Sequence, residues 1–147
     1  MEATHIARLQ GRSIFKDIRV EAEEEIHSKL ISKMDQFLEL ASYDWCMSEP
    51  QGTSSPWLTD LIAFLNSVFL SFTNLPVNLA QRTCMSALQH LSRSLQEMLL
   101  QDAVRAVSMG LIQQVDLDVV QCEQFAASEP VPGLEVRETH LIHFEGY

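Results

Sequence analysis

The stretch SPWLTDLIAFLNSVFLSF, residues 55–72, is the most apolar part of this chain. Trp57, Leu58, Leu61, Ile62, Leu65, Val68, Phe69 and Phe72 recur at steps of three and four, the period of a helix. Ala63, Phe64 and Leu70 add apolar groups on the remaining sides. A helix that is apolar nearly all round lies inside a bundle or inside a membrane. A membrane span needs ~20 predominantly apolar residues, and Thr59, Asp60, Asn66, Ser67 and Ser71 interrupt this one. Ser55 suits an N-cap and Pro56 the first helical position, while Pro76 limits the far end. The expectation is a central helix against which the rest of the chain packs.

Upstream, Ile14, Ile18, Ala22, Ile26, Leu30, Met34, Phe37 and Ala41 form a stripe at steps of four and three. Glu21, Glu24, Lys29, Lys33 and Asp35 occupy the opposite side, so this is an amphipathic helix of about seven turns. Glu25 stands four residues before Lys29, the favourable order for a helical ion pair. Residues 1–13 read as a separate short helical lead-in that ends near Gly11. Between the two long helices, SYDWCMSEPQGTS (42–54) breaks the period and reads as a loop. Tyr43 and Trp45 in it are expected to fold back over the helix ends, their OH and NH finding partners there; an exposed recognition patch is the competing reading.

Downstream, residues 73–76 make a tight link to a helix marked by Val77, Ala80, Cys84, Ala87 or Leu88, Leu91, Leu95, Met98 and Leu99. That narrow seam suits an antiparallel neighbour. His90 lies beside it without a second ligand at metal-binding spacing. From Val104 onward the period is looser: a short helix weakened by Gly110, a kink near 115–118 with Asp116 or Asp118 as a cap, and a second helix to about Ala127. Pro130, Pro132 and Gly133 end it, and 134–147 is an irregular tail. The expected fold class is all-α, an antiparallel helical bundle.

The 147 residues fit one domain with a real core. The formal charge is −10, placed unevenly: residues 1–40 hold eight acids and six bases, residues 41–147 twelve and four. Such a surface repels phosphate, so nucleic acid and anionic lipid are poor partners. Cys46, Cys84 and Cys122 are odd in number and far apart, which implies reduced thiols and a cytosolic setting. No nucleophile elbow, phosphate loop, zinc spacing or carboxylate pair is present in the sequence. His140 and His143 stand at i, i+3 without a third ligand, and Asp116-x-Asp118 lacks the glycine and glutamate of a calcium loop. The residues argue for no enzyme, no metal and no cofactor.

SIFKDIRVEAEEEIHSKL, YDW followed by SEP, FLNSVFLSFTNLP, AQRTCMSALQHLSRSLQEMLL and CEQFAASEPVPG together resemble one family, the Sec-fifteen subunit of the exocyst. The likeness runs from about Arg8 to Gly133. It implies a rod of stacked helical bundles in a complex that tethers secretory vesicles to the plasma membrane. It also implies an effector surface for a GTP-bound Rab GTPase, of the Rab-eleven type. Expected partners are that GTPase and other exocyst subunits, with membranes reached only through them and no small-molecule ligand. The implied location is cytoplasmic, peripheral to vesicles, recycling endosomes and docking sites. The candidate GTPase-facing residues are Asp116, Leu117, Asp118 and Val119; the family has Asn-Leu-Asp where this chain has Asp116-Leu117-Asp118. Helix caps and a core leucine are the competing reading of these residues, and a bundle piece binding only neighbouring subunits is the competing function. The chain starts well inside the family's length and ends on LEVRETHLIHFEGY, unlike the family. A fragment with 1–13 as lead-in, 14–133 as bundle and 134–147 as tail is therefore expected. Missing helices would leave Val107, Ile112, Val119 and Phe125 uncovered.

Overall fold

A computed structural model describes residues 2–101 and 106–131, and the expected strand or loose packing at 141–144 lies outside them. Among the described residues there are four α-helices and no strand: α1 (Glu2–Leu38), α2 (Pro56–Ser71), α3 (Val77–Leu99) and α4 (Met109–Ala127). One turn of 3₁₀ helix, Phe72–Asn74, leads from α2 towards Pro76. Contacts along the chain fix the directions. Glu23 meets Arg82, His27 meets Ser86 and Asp35 meets His90, so α1 and α3 run in parallel. Gln114 and Asp118 meet Ser55 while Phe125 stacks on Phe69, so α4 runs with α2. Consecutive helices therefore alternate, the up-down-up-down bundle that short connections favour.

The main core joins Leu30 and Met34 of α1, Leu58, Leu61, Leu65 and Phe69 of α2, Cys84, Leu88, Leu91 and Leu95 of α3, and Cys122 and Phe125 of α4. By length and apolar composition alone, Pro56–Asn74 would suffice to cross a bilayer, which its interrupting polar residues do not prevent. What decides its place is that Leu58, Leu61 and Leu65 are completely buried against other helices. Each such leucine contributes about 1.5–3 kcal/mol by burial. The apolar circumference has gaps: Leu70 is 73% exposed and Phe64 only half-buried against Phe37.

Three expectations need correction. First, α1 is continuous from Glu2 through Gly11, without a break between lead-in and helix. One glycine costs about 1 kcal/mol in a helix interior, too little to stop a run in which Ala7, Arg8, Leu9 and Gln10 all favour the helix. Second, α4 is one helix with no kink at 115–118, and neither Asp116 nor Asp118 caps it. Ser108 is the N-cap, its Oγ accepting from the Leu111 amide at 3.2 Å. Third, of the four residues expected to be uncovered, Val107 is 45% exposed and Ile112 half-buried but Val119 and Phe125 are buried, while a larger uncovered apolar surface is on α1, where Ile14, Phe15 and Ile18 are 58%, 74% and 55% exposed. Only the last third of α1 enters the core.

The α4 face and the loop it holds

The inward face of α4 carries polar groups in the middle of an apolar stripe. Leu111, Val115 and Val119 pack against Tyr43, Trp45, Met47 and Leu99. On the same side, one turn apart, stand Gln114 and Asp118, both buried. The loop expected to fold back over the helix ends does so, and these groups are what it folds onto. Asp118 accepts from the Ser55 amide and the Ser55 hydroxyl, each at 2.6 Å, and from the Tyr43 hydroxyl. Gln114 donates through Nε2 to the Thr53 carbonyl at 3.0 Å and accepts the Gln51 amide on Oε1 at 2.8 Å.

At the start of α4 the same loop is held at its backbone carbonyls. The Ser108 amide donates to the Trp45 carbonyl at 3.0 Å, and its hydroxyl donates to the Met47 carbonyl at 2.6 Å. Gly110 is buried under the loop; a Cβ there would lie 2.5 Å from the Met47 carbonyl oxygen. The glycine that the sequence marks as a helix weakener is what lets the loop backbone close on α4. Ser55 does occupy the N-cap position of α2, yet makes no side-chain cap, because its hydroxyl is committed to Asp118. Four rungs from Ser108 to Asp118 thus register the loop on α4.

A buried carboxylate needs several donors to offset its lost hydration, and Asp118 has three. Burial, followed by the Asp118 charge, pushes the Tyr43 hydroxyl far above the usual phenol range, so it stays a donor. Burial likewise pushes the Cys122 thiol up to about 12, with Asp118 and Glu123 adding to the shift. Cys84 rises to about 12 through burial. These two thiols behave as small apolar side chains.

The four candidate residues are divided by this arrangement. Asp118 is fully buried and Val119 is 8% exposed, both facing the bundle. Asp116 is exposed and Leu117 half-buried. Met109, Gln113, Asp116 and Val120, at steps of four, three and four, make the outward face of α4, with Met109 68% and Val120 39% exposed. Gln114, Gly110 and Ser108 were not among the sequence candidates. Their readable signal is the pair Gln114–Asp118 at i, i+4 inside a stripe of Leu111, Val115 and Val119, which calls for donors nearby. Among the described residues no group of three His, Cys, Asp or Glu could hold a metal ion.

Comparison with known proteins agrees with this architecture. The sequence matches the family described as exocyst complex subunit Sec15 C-terminal over residues 1–144, a span that takes in the first thirteen residues and most of the final fourteen. It is 57% identical over 134 residues to exocyst complex component 6 of Homo sapiens, covering 91% of this chain and 17% of that one. Exocyst complex component 6B of Homo sapiens is 51% identical over 134 residues (91% and 16%). The Drosophila melanogaster exocyst complex component 6 is 39% identical over 126 residues (86% and 16%). The chain thus spans about a sixth of the length of these relatives. A crystal structure of a Sec15 C-terminal domain superposes with a TM-score of 0.68 at 36% identity, over 83% of this chain and 38% of that one. On motif, sequence and fold together, this chain belongs to the exocyst complex subunit Sec15 C-terminal family.

Proposed function

We propose that this chain is a non-catalytic interaction module of the exocyst vesicle-tethering complex, acting in vesicle docking at the plasma membrane through contacts with other exocyst subunits. Its outward α4 face is the surface offered to a GTP-bound Rab GTPase of the Rab-eleven type. The location that goes with this role is cytoplasmic, peripheral to vesicles and recycling endosomes. The observation that carries the GTPase reading is the division of α4 into two faces. Asp118 and Gln114 fix the inward face to the loop, so Asp116, Leu117 and Val120 stand on a helix whose rotation is set. A rigid helical face with apolar contacts framed by polar groups is a recurrent way to bind a partner's groove. In this reading Leu117 supplies apolar contact and Asp116 frames it, while Asp118 and Val119 act from inside by holding the face in place.

The test is a pull-down with GTP-loaded and GDP-loaded Rab. Binding should require GTP. Asp116→Asn, which restores the amide of the family residue, should strengthen it, and Leu117→Ala should weaken it, both with the melting temperature nearly unchanged. A chain that captures exocyst subunits but shows no nucleotide-dependent Rab binding would be a bundle piece for its neighbours alone.

A further inference from the structure

Residues 2–19 of α1 project from the bundle, and α1 meets α3 from Val20 and Glu23 onward. Ala7, Gly11, Ile14, Phe15, Ile18 and Ala22 form a stripe on it that runs on into Ile26, Leu30 and Met34, where the bundle begins to cover it. Three of its members are small, and around Gly11 a Cβ would meet nothing within 4 Å. Small residues in an apolar stripe let a second helix approach closely. The charges identify that second helix. Residues 2–19 hold four bases (Arg8, Arg12, Lys16, Arg19) and two acids (Glu2, Asp17), whereas residues 20–25 hold four acids and no base. The segment is thus positive at its start and strongly negative at its end, and its own complement when reversed.

We propose that the projecting half of α1 pairs antiparallel with the same segment of a second copy of this chain. With the two-fold axis at Ile18, Ile18 meets its counterpart and Ile14 lies opposite Ala22. Arg12 then lies level with the other copy's acidic run at residues 21–25, of which Glu23 is held by Arg19 and Arg82 of its own chain. A parallel pair would set bases on bases and acids on acids. The stripe is isologous in this arrangement, as a two-fold dimer requires. Glu21, Glu23, Glu24 and Glu25 repel an anionic bilayer, which disfavours a membrane as the occupant.

Sedimentation equilibrium of the full chain tests this, with added salt as a second variable. The expected result is a monomer–dimer equilibrium in which Ile18→Glu weakens association by roughly tenfold or more. Because Ile18 is 55% exposed and lies outside both core clusters of the single chain, the helical circular dichroism signal should not change. Arg12→Glu should weaken the dimer. On a Cys46→Ser background, Ile18→Cys should cross-link under mild oxidation and Leu9→Cys, on the far side of α1, should not. A chain that stays monomeric throughout, a dimer indifferent to Ile18→Glu, or a monomer that binds phosphatidylserine vesicles would each overturn the proposal.

Discussion

Helices α2 and α4 run in the same direction and each buries one side in the same bundle, yet they are held by different means. The six buried residues of α2 are all apolar, Trp57 to Phe69. Of the nine buried in α4, Gln114 and Asp118 are polar and Gly110 has no side chain. Apolar burial is non-directional and scales with area, so α2 is placed by how much it covers. Hydrogen bonds fix direction and partner, so α4 is placed by which loop atoms it meets. One helix is held by quantity and the other by register.

The strongest test of this contrast is at the centre of α2. Leu65 is fully buried among apolar neighbours, so Leu65→Asp should cost more than about 4 kcal/mol and abolish cooperative melting. Leu65→Ala should fold and lose about 2–5 kcal/mol. A Leu65→Asp protein that melts like the parent would remove α2 from the core.

On the α4 side, Asp118→Ala would strand the Tyr43 hydroxyl and both Ser55 donors, a loss of about 3 kcal/mol. Tyr43→Phe leaves the Ser55 bonds in place and should cost about 1 kcal/mol. Near-ultraviolet circular dichroism should change with Asp118→Ala, because Tyr43 and Trp45 pack as neighbouring rings. If Asp118→Ala is neutral, the register argument fails.

Gly110→Ala tests the same idea with the opposite intuition. In an exposed helix this change gains about 1 kcal/mol. Here the new Cβ meets loop backbone at 2.5–2.8 Å, so a net loss of about 1–3 kcal/mol is expected in a denaturant titration.

The smallest effect near neutral pH is chemical. Cys84 and Cys122 titrate at about 12 when folded against an ordinary 9.0. Their raised values give stability that is fully present below 9.0 and is lost as pH climbs toward 12. Denaturant midpoints should therefore be flat around neutrality and fall above that point. A thiol reagent at neutral pH should label exposed Cys46 and leave the other two until the chain unfolds.

The part of the fold built on quantity was legible in the sequence. The seams of α2 and α3 repeat apolar residues at helical steps, and the structure buries Leu61, Leu65, Leu88, Leu91 and Leu95 accordingly. The part built on register was not. Asp116-Leu117-Asp118 looked like a break because short polar side chains usually compete with the helix backbone. Asp118 does not compete here, since its oxygens are taken by donors 63 and 75 residues away in the chain. No local pattern shows such partners. The need of Tyr43 for one was readable, its choice of Asp118 was not. The exposed half of α1 was misjudged for a related reason, because its stripe has helical spacing whether or not anything packs on it.

The two tryptophans fall one on each side of this divide. Trp57 is buried at the head of α2, with its Nε1 unpaired, and Trp45 lies half-buried in the loop that α4 holds. Tyr43 sits between them, with ring centroids 6.1 Å from Trp45 and 6.3 Å from Trp57. The molecule thus carries a built-in pair of fluorescent reporters, one for the apolar core and one for the loop clamp. Trp45→Phe and Trp57→Phe would each silence one channel, and the two emission curves would show whether the clamp opens while the bundle is still closed.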